Sequence, residues 1–462
     1  MLMGLVGTGC QTYQQQNGVI AYWHQGNLPM AMAEAQKRAD NNAGNRDAIV
    51  WRLEQGAVLR AAGKYDDSNT AFDQAQLKID DYAQKAKVRV SQETGALLSN
   101  QAELDYEGRS YDGIMLNTYK ALNYLALGQN DKARPELRRA YERQQDAVAA
   151  NQARIDKVQQ EQSKTKDQAT IVKAESDPTF KGKADGLTPV MDDQKSYADY
   201  VNPFTIYLDG LYFLYAALDD SDLQRAQVSF RKVGELVPDN DYIKQDQTAA
   251  DAAVNHAKLD PVTYVIFETG CAPTRDQIRI DVPIIVSKVS YVGAAFPTLR
   301  LQGNYIPSLT VTGTGVDVST KFLASIDGMV VRDFKNELPV VIIKTVAATV
   351  TKAVAAYAIN QAANSAGGPD LGFGTTVGGL ISQIGTATYQ MAVNIADERT
   401  WTTLPKEFQV ARFATPADRK IDLTTPSGLR LSVTIMDGTA NVVYVKSINT
   451  AVPLLVSQFR LK

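Results

Sequence analysis

Side chains able to do acid, nucleophile or metal chemistry are sparse and scattered in this chain of 462 residues. Its two histidines, His24 and His256, stand far apart with no Cys or His companion, so neither a zinc site nor a histidine-based catalytic centre is expected. Carboxylate pairs occur at Asp105 with Glu107 and at Asp397 with Glu398; they are the residue types that two-carboxylate acid and base work needs, but only their distances in the fold could make them partners. There is no Walker-type loop, GxSxG elbow, HExxH or paired CxxC, and those chemistries need their groups at fixed spacing. Gly313-Thr314-Gly315 reads as a tight turn between strands, since no helix and lysine follow it, and Gly367 to Gly374 likewise has no Lys-Thr continuation. The expectation is a protein without catalytic residues, cofactor or metal.

The two cysteines are Cys10 and Cys271. Cys10 closes the run Leu5-Val6-Gly7-Thr8-Gly9 and resembles the end of a bacterial lipoprotein signal, where small residues precede a cysteine that is cleaved at and lipidated. Gly7 stands where such signals usually carry Leu, and nine residues without Lys or Arg precede Cys10; a complete signal has a basic start and an apolar stretch of roughly 7 to 15 residues, so a longer leader is expected upstream. Residues 1–16 are thus read as a truncated lipoprotein signal and polar tether, with Cys10 as the lipidation site and Cys271 as an unpaired buried thiol. A free surface thiol at Cys10, or a disulfide to Cys271, are the alternatives.

The sharpest local motif lies late in the chain, at Ala396-Asp397-Glu398-Arg399-Thr400-Trp401-Thr402-Thr403-Leu404-Pro405. Arg399 offers a planar donor fork and Trp401 a large apolar face. The favoured reading makes Asp397, Arg399 and Trp401 a structural motif, with the charges in a buried network that holds a helical hairpin to a sheet; the other makes it a binding epitope.

The elements that would position these residues divide into a helical and a β half. One helical-hairpin signature recurs at Gly56, Leu59, Gly63, Tyr65, Ser68, Phe72 and Ala75, at Ala121, Tyr124, Gly128, Ala133, Leu137 and Ala140, and at Leu214, Ala217, Leu223, Ala226, Phe230, Val233 and Pro238. Small residues let paired helices approach, large ones plug the neighbouring unit, and stacking completes each repeat, as in tetratricopeptide (TPR) arrays. Tyr22, Gly26, Leu28, Ala31 and Ala35 approximate a degenerate first unit. A TPR-like helical domain is therefore expected over 17–258, with Asn202 capping a helix that opens on Pro203. Within it, 144–196 is polar with a thin apolar stripe; it reads as a solvated extension and loop or as an arm that docks a partner.

At Asp260-Pro261 the period changes, and 259–462 is expected to be β-rich. Strands are expected at Val262 to Phe267, Gln277 to Ile284, Leu299 to Ile306, Ser308 to Val318, Val410 to Phe413, Lys420 to Leu423, Leu429 to Ile435, Asn441 to Ile448 and Val452 to Phe459, with Asp437-Gly438 as a hairpin turn. An Ala/Gly-rich helical hairpin, 339–396, is inserted between the β blocks. Its Lys344, Lys352, Asn360 and Gln361 weigh against a lipid-spanning role; packing on the sheet, self-assembly or membrane contact are its candidate roles. The fold class is α+β.

A net charge of −3 lacks the concentrated basic face that nucleic acid requires, and no apolar run of about 18 residues is present for an ordinary spanning helix. The Cys10 region, Tyr119 to Gly128 with Ala133 and Arg138-Arg139-Ala140, Asn202-Pro203-Phe204, Glu268-Thr269-Gly270 with Ala272-Pro273, Phe296-Pro297 and Asp397 to Pro405 together resemble a family of bacterial TPR-bearing lipoproteins for which no catalytic residues are established. The resemblance implies an outer-membrane lipoprotein facing the periplasm, with a helical N-terminal and a β-rich C-terminal half. Scaffold or adaptor work through protein or peptide binding is then expected, with Tyr119, Asn123 and Tyr212 as the candidate partner surface. Self-assembly into a homo-oligomer through the C-terminal domain and its hairpin is the alternative, and a hydrolase in the β-rich half is a third.

Overall fold

The computed structural model describes residues 18–88, 101–164, 168–189, 201–286, 289–365 and 395–462. Helices occupy the first part: α1 (Gly18–His24), α2 (Leu28–Asn41), α3 (Ala48–Ala61), α4 (Tyr65–Val88), α5 (Ser110–Ala126), α6 (Asn130–Ser163), α7 (Gln168–Glu175), α8 (Pro178–Asp185), α9 (Pro203–Tyr215), α10 (Asp220–Leu236) and α11 (Asp241–Val254). They pair as hairpins α3/α4, α5/α6 and α9/α10. The turns after α3 and α5 use Gly63 and Gly128 at φ of +72° and +70°, a left-handed conformation that costs glycine least. Gly56 on α3 serves closeness instead: a Cβ there would lie 2.4 Å from the Phe72 ring of α4. Asn202 caps α9, accepting from the amides of Phe204 at 3.1 Å and Thr205 at 3.4 Å, with Pro203 at the first turn.

Strands follow α11. A five-stranded sheet has the order β11 (Leu455–Arg460), β10 (Ala440–Ser447), β1 (Val262–Thr269), β7 (Glu407–Ala414), β6 (Lys321–Ser325). β1 and β10 run parallel and the other pairs antiparallel. Both central strands are buried along their whole length, as expected of a sheet covered on both faces. One face meets the first helices of the hairpins: Tyr119 reaches Glu268, Tyr215 reaches Tyr264, and Phe204 stacks on Phe408 at 3.7 Å. The other is covered by 306–320, through Thr269 to the Ile306 carbonyl at 2.8 Å and Thr320 to Gln409 at 2.6 Å. β2 (Thr274–Val286) and β3 (Val289–Arg300) form a separate long hairpin, and β5 (Val316–Ser319), β4 (Thr310–Gly313), β8 (Lys420–Thr424) and β9 (Arg430–Thr434) a four-stranded sheet in that order. α12 (Ile326–Ser365) lies against α6, α7, β2 and β3. The architecture is α+β, and the helical and β parts share one continuous hydrophobic core.

Several boundaries differ from the sequence expectations. α12 starts thirteen residues before Pro339 and runs through it; the buried Val330, Val331, Phe334, Val340 and Val341 outweigh the loss of about 3 kcal/mol that an interior proline brings. The returning helix expected up to residue 396 lies almost wholly outside the described residues. Leu299 to Ile306 is not a strand beyond Arg300; the strand is β3, whose small Gly293-Ala294-Ala295 centre weakens the apolar alternation. Asp437-Gly438 joins β9 to β10, which sit in different sheets, so it is not a hairpin turn. In the described part of the polar stretch 144–196, α6 and α7 dock on α12, with Val158, Ile171 and Ala174 buried, so this part is no free arm. No described helix is long and apolar enough to cross a membrane.

Candidate functional site

Besides a cluster in which Tyr207, Tyr264 and Arg412 all donate to the buried Asp246, two polar clusters are buried between helices and strands. The first is a seam built on residues 396–406, which carry no helix or strand and are almost wholly buried. They run against α3, α4 and α5. The Glu54 carboxylate, fully buried on α3, accepts from the Thr402 amide (2.7 Å) and hydroxyl (2.5 Å) and from the Thr403 amide (3.2 Å) and hydroxyl (2.6 Å). Trp401 fills the space between Phe72 and Tyr119, with ring centroids 5.7 and 5.8 Å away, and its indole N–H donates to the Thr403 hydroxyl at 3.0 Å. Arg399 donates to Asp397 at 2.7 and 3.1 Å, to Asp47 at 3.0 Å and to the Leu104 carbonyl at 2.9 Å. Arg109 bridges Asp397 to Glu337 of α12, which also takes Arg275 of β2 at 2.7 Å. Burial would raise the Asp397 carboxyl; Arg399 and Arg109 more than offset this and hold it below the usual range.

The second cluster lines a cavity of about 320 Å³ between the end of α3, the α3–α4 turn, the central sheet and the start of β11. Parallel register makes Glu268 and Lys446 direct partners on β1 and β10, and Tyr444, two residues before Lys446, shares their face. Glu268 accepts from Tyr119 at 2.8 Å and from Tyr444 and Lys446 at short range. The Lys446 ammonium also lies 5.1 Å from the centre of the Trp23 indole. Arg60 of α3 sits over the rings of Tyr444 and Tyr119, at 4.7 and 5.2 Å, and donates to the Asn123 side-chain oxygen at 2.8 Å. Asn123 in turn donates to Ser68 and Asn69, both at 2.9 Å.

Electrostatics give these groups fixed states. Burial alone would raise the Glu268 carboxyl, but Lys446 and Arg60 beside it hold it below the ordinary value. Burial, reinforced by Glu268, pushes the Tyr119 and Tyr444 phenols well above theirs. An ionised carboxylate and protonated phenols suit a cradle that binds and orients better than a relay poised near neutral pH. Under Lys446, Cys271 is a buried free thiol, pushed up to about 11 by burial and so weakly nucleophilic.

Tyr119, Asn123 and Tyr212 do not form an open partner surface, because all three are buried. Tyr119 and Asn123 belong to the cavity cluster, and Tyr212 donates to the Asn130 carbonyl at 2.7 Å within the helical array. Asp397, Arg399 and Trp401 come together, but they tie their segment to the helices and α12, whereas the expected network holds a hairpin to the sheet. Asp105 and Glu107 are exposed, and Asp397 is taken up by arginines, so neither carboxylate pair converges on the cavity. His24 and His256 are both exposed, and no group of His, Cys, Asp and Glu among the described residues could hold a metal ion. Cys10 lies outside the described residues.

Sequence reasoning passed over Glu54, Arg60, Tyr444 and Lys446, and took Glu268 only through its place in a resemblance. For Glu268 and Lys446 a signal was present: each is the one charge in a run of β residues, Val262 to Thr269 and Ala440 to Ser447, and a lone charge facing a core must find a partner. Comparison of the chain with protein-family models, with curated proteins and with solved structures gives no match.

Proposed function

We propose that this chain is a non-enzymatic scaffold or adaptor of the bacterial cell envelope, tethered through a lipid on Cys10 to the periplasmic face of the outer membrane. The reading takes the three helical hairpins as a TPR-like array. What carries it is the way 396–406 lies along the first helices of the array. The segment is gripped by the Glu54 carboxylate on two consecutive amides, by an aromatic slot around Trp401 and by the Arg109 guanidinium on Asp397. These are the means by which such an array would hold a separate peptide, used here on the chain's own β half. With the inner face filled, a protein partner is left the outer helices, where Leu77 on α4 and Val228 on α10 are large, apolar and exposed.

Photocrosslinking residues placed at Leu77 and Val228 in intact envelopes test the proposal. The expected result is a discrete adduct with one envelope protein, lost when C10S frees the chain from the membrane. Absence of adducts from both positions in the membrane-bound protein would overturn the scaffold reading.

A further inference from the structure

The cavity cluster carries a charge imbalance that the seam does not. Arg60 is 8 % exposed, Lys446 8 % and Glu268 1 %. Glu268 is the one carboxylate among the cavity's lining residues, and its ion pair is with Lys446. Arg60 has no carboxylate within ion-pairing reach among the described residues; its protein partners are the Asn123 amide oxygen and the Tyr119 and Tyr444 rings and hydroxyl. One carboxylate thus faces two buried cations, so the lining carries a net positive charge beside a space of about 320 Å³. A buried cation is stable when something anionic completes it, and this volume is at the lower end of small-ligand clefts.

We propose that the cavity beside Arg60 binds a small organic monocarboxylate, its carboxylate on the Arg60 guanidinium and its hydrocarbon body against Ala57, Ala61, Leu454 and Val456. Charge selects the class. A monoanion cancels the surplus, while a phosphate monoester near neutral pH would bring a second negative charge up to Glu268. A planar guanidinium matches a carboxylate through paired N–H donors. The mouth is where Gly63, Tyr65 and Leu455 are partly exposed, so a ligand enters past the α3–α4 turn without unfolding the seam. The inference stands apart from the scaffold proposal, since it needs no protein partner.

Calorimetry and thermal unfolding of the whole chain with hexanoate and benzoate, against hexanamide and hexyl phosphate, test it. Hexanoate or benzoate should bind and raise the melting temperature, with hexanamide and hexyl phosphate at least about 10-fold weaker. R60M should lower carboxylate affinity by a similar factor. A61L, which narrows the cavity and touches no charge, should do the same, and serves if R60M does not fold. Equal binding of hexanamide, full retention by R60M or A61L, or no response to either carboxylate would overturn the proposal.

Discussion

The seam and the cavity are both buried, charged and placed between the helices and the sheet, yet they are completed differently. In the seam Glu54 takes four neutral donors from Thr402 and Thr403, Arg399 has two carboxylates and a carbonyl, and Glu337 takes two arginines. In the cavity Glu268 pairs with Lys446, and Arg60, held by Asn123 and two tyrosine rings, has no carboxylate within ion-pairing reach among the described residues and borders open space. Burial of charge therefore does not by itself mark a binding site. Completed charge marks structure, and incomplete charge next to a volume marks a place for something else.

The contrast can be broken most forcefully at Glu54. E54A strips the acceptor from four buried donors at once, and should lower unfolding free energy by about 3–5 kcal/mol, read by denaturant titration. R399A should follow, at about 2–3 kcal/mol, because Arg109 still faces the stranded Asp397; an unchanged melting temperature would remove Arg399 from the seam's framework. A pH series sharpens the comparison further. Asp112, beside the seam, accepts from the Arg109 amide at 2.8 Å and the Tyr106 hydroxyl at 2.5 Å, yet burial pushes its carboxyl up to about 7. The folded state then binds this proton more tightly than the unfolded state. Its contribution is full below the unfolded value and is lost as pH rises from about 4 to about 7, at no more than about 1.4 kcal/mol per unit. D112N should flatten that slope, measured as unfolding free energy against pH. At the small end, R430A removes the exposed arginine that pairs with the partly buried Asp422 at the edge of the four-stranded sheet, and should leave the melting temperature nearly unchanged.

The fold was legible where the chain repeats a short period. Val, Ile and Tyr alternation marks β1, β7, β8 and β10, and the Gly63 and Gly128 turns mark the first two helical hairpins, because each signal is local. The start of α12 was hidden by Pro339, whose local preference loses to the burial of the residues around it. Strand partnership was not legible at Asp437-Gly438, since the turn chemistry that makes a hairpin also serves to pass a chain between sheets. For the site the gap was wider. Lys446 becomes the partner of Glu268 only through a parallel register between strands far apart in sequence, and Arg60 reaches them from a helix. The Asp397 to Pro405 motif stood out by its residue types, but its partners Glu54, Asp47 and Arg109 are scattered through the helical half.

The difference between completed and incomplete charge is tested most directly by paired denaturant unfolding of E54A and R60M in one buffer without ligand. The expected result is a loss of about 3–5 kcal/mol for E54A and of no more than about 1–2 kcal/mol for R60M, which leaves the Asn123 oxygen without its donor but breaks no ion pair. A loss in R60M as large as that in E54A would show that Arg60 is already completed within the protein, and would contradict the distinction between the two clusters.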